Sequence, residues 1–230
     1  MGRLLVLEGL DGSGKSTQTA RLLQALREAG TPVRQIKLPD YENPSSTLVR
    51  MYLSGDFGAD PTALSAYAAS SFYAVDRVAS FLLDWKRDYS SDTLVLADRY
   101  TTSNPIYQMT KLPESEWESY LFWVEDYEYD KLGLPRPDQV LFLDMPVEIS
   151  QAMMTRRYDG DEGKKDVHES NVQFLNDCRK AALFTAERWG WDVIRCWDGN
   201  APRSIDAIAE EIRALVPETA CKGGSPWKND

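Results

Sequence analysis

A glycine-rich segment near the N-terminus contains the residue types that bind nucleotide phosphates. Residues 9–17 are GLDGSGKST and satisfy the pattern G-x-x-x-x-G-K-[ST]. In this pattern backbone N–H groups surround the phosphate oxygens, the lysine reaches the β- and γ-phosphates, and the hydroxyl after it ligates Mg²⁺. We call this segment the phosphate cradle and predict that it binds a nucleoside triphosphate. Its predicted phosphate-binding residues are Gly9, Asp11, Gly12, Ser13, Gly14, Lys15, Ser16 and Thr17.

A second group of candidate residues follows an apolar run in the segment LVLADRYTTSNPIYQ, residues 94–108. Asp98 ends the apolar run, where a carboxylate can hold Mg²⁺ directly or through water. Ser16 and Asp98 are therefore the predicted metal ligands. Arg99 would repel a bare cation, but its position makes sense if a second anion binds there. The alternative is a simple Asp98–Arg99 ion pair on the surface.

The elements that must position these residues alternate along the chain. The apolar run 3–8 predicts a strand, and the spacing of Leu22, Leu23 and Leu26 predicts a helix over 15–29. Alternating strands and helices indicate an α/β fold with a parallel sheet, helices on both faces, and ligands beyond the carboxyl ends of the strands. Further strands are predicted at 33–38, 93–97, 139–146 and 191–197. Further helices are predicted at 45–53, about 61–88, 112–131, 147–157, about 167–189 and 203–216.

Composition excludes several classes of function. The 230-residue chain has a net charge of −10, which disfavours a nucleic-acid partner. No apolar run approaches the roughly 20 residues that span a membrane. The single histidine, His168, argues against a histidine-based triad or a multi-histidine metal site. Three cysteines without CxxC spacing predict reduced thiols and a cytoplasmic location.

The sequence resembles the thymidylate kinases, which are P-loop nucleoside monophosphate kinases. The resemblance runs from about residue 3 to 215 and rests on LEGLDGSGKST, LPDY, FYAVDR, DRYTTSNPIYQ, LGLPRPD and VLFLD. It implies a P-loop NTPase fold with a five-stranded parallel sheet and a small lid. It also implies transfer of the γ-phosphate of ATP to dTMP, with Mg²⁺ as cofactor. The family forms homodimers, and the long helix predicted at about 61–88 is the expected packing face.

The resemblance also assigns residues to dTMP. It places Tyr73 against the thymine ring, Arg77 at the base O4, Asn104 at N3–H and Tyr107 at the deoxyribose. The spacing of Tyr73 and Arg77 puts both on one helix face, and an arginine, which only donates, suits O4 of thymine rather than the amino group of cytosine. The implied dTMP residues are Asp11, Tyr41, Arg50, Tyr73, Arg77, Arg99, Asn104, Tyr107 and Gln108.

The resemblance further implies a lid at about 155–168 within a single domain over 1–217, followed by a tail at 218–230. The cradle has no basic residue between its glycines, and for such members the resemblance implies that a lid arginine supplies that charge. The implied catalytic residues are Lys15, Arg99, Arg156, Arg157 and Asp11.

Two other hypotheses about function remain compatible with the sequence. The first is another P-loop nucleoside monophosphate kinase, or a deoxynucleoside kinase with Asp98 or Glu8 as the base. The second is a nucleotide-binding switch, which lacks support because no N-K-x-D guanine-binding motif is present.

Overall fold

Five parallel strands form the central sheet in the computed structural model, which describes residues 2–58, 63–157 and 172–216 (155–157 by backbone only). Their order is β2-β3-β1-β4-β5. The strands are β1 Arg3–Gly9, β2 Val33–Lys37, β3 Leu94–Asp98, β4 Gln139–Asp144 and β5 Asp192–Arg195. The five predicted strands and their parallel pairing are confirmed.

Helices cover both faces of this sheet. Successive apolar residues of β1 point to opposite sides, so both faces are apolar and must be covered. Leu4 and Val6 belong to one core cluster, and Leu5 and Leu7 belong to a second. The helices are α1 Lys15–Glu28, α2 Thr47–Ser54, α3 Ala66–Ser80, α4 Lys86–Tyr89, α5 Ser103–Gln108, α6 Trp117–Val124, α7 Val147–Arg157, α8 Val172–Trp189 and α9 Ile205–Leu215. Buried residues of α8 pack in the first cluster, and those of α1 and α9 pack in the second.

The prediction of one long helix at about 61–88 is wrong at its start, and a π-helical turn interrupts the helix. The structure begins α3 at Ala66, where the Ser65 side chain caps the helix by accepting from the backbone N–H of Ala68. Residues 59–62 lie outside the described part of the chain. A π-helical turn, Phe81–Trp85, separates α3 from α4. This wider turn lets Phe81 and Trp85 both enter the core, where their ring centroids are 4.6 Å apart.

The helix predicted at 112–131 is also composite. A 3₁₀ turn over Glu114–Glu116 precedes α6, and a π-helical segment, Glu125–Lys131, follows it. Two elements were not predicted: α5 and a short hairpin of β6 Trp197–Asp198 with β7 Ala201–Pro202. No helix within the described ranges is long and apolar enough to cross a membrane.

Candidate active site

The phosphate cradle connects the end of β1 to the start of α1. Gly12 and Gly14 have φ values of 78° and 88°, in the left-handed region that glycine adopts without a side-chain clash. Gly14 is the N-cap of α1, and no side chain caps the helix there. The first N–H groups of α1 and the positive end of its dipole therefore suit an anion.

A buried hydroxyl without a hydrogen-bond partner supports the same interpretation of the cradle. The Ser13 hydroxyl is buried without a hydrogen-bond partner among the described residues. A β-carbon at Gly9 would lie 2.5 Å from that hydroxyl, so the chain packs closely here because position 9 has no side chain. Ser16 and Thr17 are exposed in the first turn of α1. These features fit the predicted binding of a polyphosphate.

Lys15 forms a buried ion pair with Asp98, to whose Oδ1 its Nζ donates. The parallel register that aligns Leu7 with Asp98 brings the end of β3 beside the cradle. Burial lowers the pKa of Lys15, as does the nearby charge of Arg99, while Asp98 opposes both effects. The predicted phosphate lysine and the predicted metal carboxylate are thus in direct contact.

Glu8 places a carboxylate beside the cradle. Its Oε1 accepts from the hydroxyls of Thr102 and Ser103, at 2.7 Å each. Its Oε2 is buried and has no partner among the described residues. The oxygens of Ser16, Asp98 and Glu8 are the kind of ligand that Mg²⁺ prefers. The described residues contain no cluster of three or more His, Cys, Asp or Glu arranged for a metal.

A cavity of about 560 Å³ opens next to the cradle. We call it the acceptor cavity. Eight of the nine residues that the resemblance assigned to dTMP line it: Asp11, Tyr41, Tyr73, Arg77, Arg99, Asn104, Tyr107 and Gln108.

The ninth residue, Arg50, does not line the acceptor cavity. Its Nη1 donates to the backbone oxygen of Tyr41 at 2.6 Å and to the hydroxyl of Ser46 at 2.8 Å. The structure therefore places Arg50 behind the segment that carries Tyr41. This position supports the cavity wall.

Arg99 lies where the cradle meets the acceptor cavity. It directly follows β3 with a φ of 71°, a backbone conformation that costs energy for a residue other than glycine. Its Nη2 donates to Asp11 Oδ1 and its Nη1 to the Tyr107 hydroxyl, both at 2.8 Å. Its guanidinium also lies 5.0 Å from the Tyr107 ring centroid. Backbone and side chain together hold this charge between the two binding regions.

A buried polar network forms another part of the acceptor cavity. Arg77 donates from Nε and Nη2 to the two carboxylate oxygens of Glu128, each at 2.7 Å. Asn104 donates from Nδ2 to Glu128 at 2.7 Å and to the backbone oxygen of Ser70 at 3.3 Å. Arg77 Nη1 donates to the backbone oxygen of Tyr100 at 3.2 Å. Glu128 was not predicted, because it lies in the π-helical segment, where helical spacing does not reveal which side chains point inward.

Two tyrosines and a lysine line a further part of the cavity. The rings of Tyr52 and Tyr73 meet edge to face, with centroids 6.3 Å apart. Lys111 donates to the Tyr52 hydroxyl at 2.9 Å, and burial lowers the pKa of Lys111 to about 8. Burial also raises the pKa of Tyr73, which stays neutral at physiological pH. Gln108 is buried here with its Oε1 unpaired among the described residues. Tyr52 and Lys111 were not predicted as site residues.

The predicted lid lies largely outside the described residues. The backbone of α7 extends to Arg157, but the side chains of Arg156 and Arg157 are not described, nor are residues 158–171. The assignment of these arginines therefore stays a prediction.

Comparisons with known proteins agree with this geometry. The model of the thymidylate kinase family matches residues 7–203. A thymidylate kinase of Mycobacterium tuberculosis is 30% identical over 200 residues, which cover 83% of this chain and 90% of the relative. A probable thymidylate kinase of Methanothermobacter thermautotrophicus is 31% identical over 225 residues, covering 96% of this chain and 98% of the relative.

A solved structure shows the same fold. The thymidylate kinase of Candida albicans superposes with a TM-score of 0.67 at 23% identity, covering 94% of this chain and 91% of that one. This likeness confirms the predicted P-loop fold, with its five-stranded parallel sheet flanked by helices.

Proposed function

Since this chain belongs to the thymidylate kinase family, we propose that it transfers the γ-phosphoryl group of ATP to dTMP. The products are dTDP, for dTTP biosynthesis, and ADP. One observation supports this proposal above the others: Arg99 contacts Asp11 of the cradle and Tyr107 of the acceptor cavity at once. A cationic group shared by two anion sites is the arrangement that phosphoryl transfer between two nucleotides needs.

The transfer would be accelerated by positioning of the two nucleotides and by neutralisation of the charge on the transferring group. The attacking atom is a phosphate oxygen of dTMP, which is mostly dianionic near pH 7 because its second pKa is about 6. No general base is required. Lys15 would leave Asp98 to contact the β- and γ-phosphates of ATP, and Arg99 would face the transferring group and the 5′-phosphate of dTMP. Asp11 and Tyr107 hold Arg99 in that position.

The donor site would also hold a magnesium ion. Ser16 and Asp98 are the proposed ligands, and Glu8, whose charge acts on Lys15, is proposed to contribute through water. The bound ion supplies neutralisation of the charge on the phosphate oxygens.

The acceptor cavity would hold the nucleoside part of dTMP. Tyr73 offers a ring face for thymine, and Arg77 and Asn104 offer hydrogen bonds to its polar edge. Tyr41, together with Arg99, would contact the 5′-phosphate. Arg50 would act on Tyr41 through its backbone contact.

The lid is proposed to complete the donor site. We assign it to about 155–168, within a single domain over 1–217 that precedes a tail at 218–230. Arg156 or Arg157 would contact the transferring group when the lid closes, and closure would exclude water as a competing acceptor. Separate Arg156→Ala and Arg157→Ala variants identify which of the two acts, because loss of that arginine lowers turnover more than ATP affinity.

A panel of acceptors tests the proposal. ADP release is measured with ATP and Mg²⁺ in the presence of dTMP, dUMP, dCMP, UMP, AMP or thymidine. We expect dTMP to give the highest kcat/KM. Turnover of thymidine without turnover of dTMP would show a nucleoside kinase instead, and equal turnover of AMP would show that the acceptor cavity is not built for a pyrimidine.

We also propose a homodimer that packs through α3 and the π-helical turn after it. Val75, Leu82 and Leu83 are 47%, 55% and 77% exposed on this stretch. Burying these side chains against a second copy would be favourable. A single-copy mass in solution by light scattering would contradict the dimer.

A cytoplasmic location fits the buried free thiols of Cys178 and Cys196.

A further inference from the structure

Glu128 is a buried carboxylate that the phosphoryl transfer does not use. It is fully inaccessible to solvent, and Arg77 beside it is 3% exposed. Burying a charged pair costs solvation energy that an apolar pair of the same size would not. The π-helical segment Glu125–Lys131 that presents Glu128 is itself an uncommon conformation, often found at functional sites.

The first consequence of Glu128 is that it fixes the side-chain amide of Asn104. A carboxylate at neutral pH and a backbone carbonyl can only accept hydrogen bonds. Both contacts of the amide, to Glu128 and to Ser70, must therefore come from the Nδ2 donor. Asn104 lines the acceptor cavity, so Oδ1, an acceptor, is the polar atom left for a ligand.

The second consequence is that Glu128 fixes the plane of the Arg77 guanidinium. Two parallel hydrogen bonds at 2.7 Å hold the Nε–Nη2 edge. Arg77 also lines the acceptor cavity. Nη1 also donates to the backbone oxygen of Tyr100, which leaves one N–H of Nη1 and one of Nη2, in the same plane, for a ligand. One carboxylate thus aligns a donor group and an acceptor group that face the same cavity.

We propose that Glu128 is the positioning residue that selects thymine and uracil over cytosine, an inference that rests on the proposed dTMP kinase function. Thymine and uracil present an acceptor at O4 and a donor at N3–H. Cytosine presents a donor at its 4-amino group and an acceptor at N3. The arrangement set by Glu128, with Arg77 donating and Asn104 accepting, matches the first edge and opposes the second.

Glu128→Gln tests this role with little change in shape. The introduced amide has one acceptor and one donor group, whereas Arg77 and Asn104 together present three donors to Glu128. In either orientation the introduced NH₂ group faces a donor of Arg77, so the arrangement that matches thymine is no longer held in place. We expect the ratio of kcat/KM for dTMP to that for dCMP to fall by about tenfold or more. The ratio for dTMP to dUMP should stay within about twofold, because both bases have the same edge.

Two further variants keep the test decisive. Glu125→Gln is the matched control, because Glu125 lies in the same π-helical segment but pairs with Arg136 at the surface; we expect wild-type ratios. Glu128→Asp retains the buried charge, and so the fold, but is one methylene too short to reach both partners. Its dTMP:dCMP ratio should lie between those of the wild type and Glu128→Gln, with the KM for ATP unchanged.

The results that overturn the proposal differ from those that overturn the function. If Glu128→Gln or Glu128→Asp lowers activity on dTMP, dUMP and dCMP in equal proportion, Glu128 has only a structural role. If the wild-type protein does not phosphorylate dTMP at all, the proposed function fails before any variant is compared.

Discussion

Asp11 and Arg99 form an ion pair of 2.8 Å that joins the phosphate cradle to the acceptor cavity. The second nitrogen of Arg99 is held by Tyr107, so both ends of the guanidinium are fixed. A charge that is already in position does not have to reorganise when charge develops on the transferring group. The unfavourable φ of Arg99 is part of the cost of placing it there.

Replacing Arg99 by lysine should therefore reduce turnover sharply. Lysine keeps the charge but cannot donate to Asp11 and Tyr107 in the same fixed geometry. We expect kcat with dTMP to fall by about 10²–10³-fold, measured by steady-state ADP release. Arg21→Lys is the control, because Arg21 pairs with Asp206 at the surface and does not line the acceptor cavity. A kcat for Arg99→Lys within threefold of wild type would contradict the assigned role.

The Arg77–Glu128 pair predicts a separation of stability from specificity. Arg77→Met leaves Glu128 buried without its cation, which should lower the free energy of unfolding by about 3–5 kcal/mol. The double variant Arg77→Met/Glu128→Met replaces the pair by apolar side chains and should recover most of that loss.

Urea denaturation of both variants measures the stability, and kcat/KM for dTMP measures the function. The double variant should remain poor with dTMP even though it is stable. A double variant as unstable as the single one would show that Glu128 is not the group left unpaired.

The sequence predicted the sheet and the cradle well because both depend on local patterns. Apolar runs such as 3–8 and 139–144 become strands buried on both faces, and the glycines of the cradle belong to a motif of fixed spacing. Most of the predicted acceptor residues line one cavity. Their assignment depends on the family resemblance, since residues so far apart in sequence have no local pattern in common.

The features that the sequence did not predict depend on tertiary packing. The π-helical turns at Phe81–Trp85 and Glu125–Lys131 have the residue types of ordinary helices, and burial of Trp85 or Glu128 decides their form. Helix α5 begins among residues that suit turns as well as helices, and Asn104, Pro105 and Ile106 are buried by their neighbours. Glu128 could have been suspected only from the need of a buried Arg77 for an anionic partner.

Lys111 should make stability depend on pH in the alkaline range. Burial lowers its pKa from 10.5 to about 8, so between these values the unfolded chain binds a proton that the folded protein has released. Stability contributed by this group therefore rises as the pH increases from about 8 to 10.5, and the cost of burying its charge is fully present below pH 8.

Lys111→Met should remove this dependence. Its melting temperature relative to wild type should be highest at pH 7 and should decline steadily between pH 8 and pH 10. Lys131→Met, which removes an exposed lysine, should follow the wild-type profile. A constant difference between Lys111→Met and wild type across this range would mean that the Lys111 pKa is not lowered.

Two glycines of the cradle should respond differently to alanine. Both have positive φ values, so each substitution carries a backbone cost of about 1–2 kcal/mol. A β-carbon at Gly12 would also lie 3.0 Å from Ser150 Cβ and 3.2 Å from Met154 Cγ of α7, whereas one at Gly14 would meet nothing within 4 Å. Gly12→Ala should therefore lose about 1–3 kcal/mol more stability than Gly14→Ala, because α7 must shift. Urea denaturation of the two variants measures this difference, and equal losses would show that α7 does not pack against the cradle.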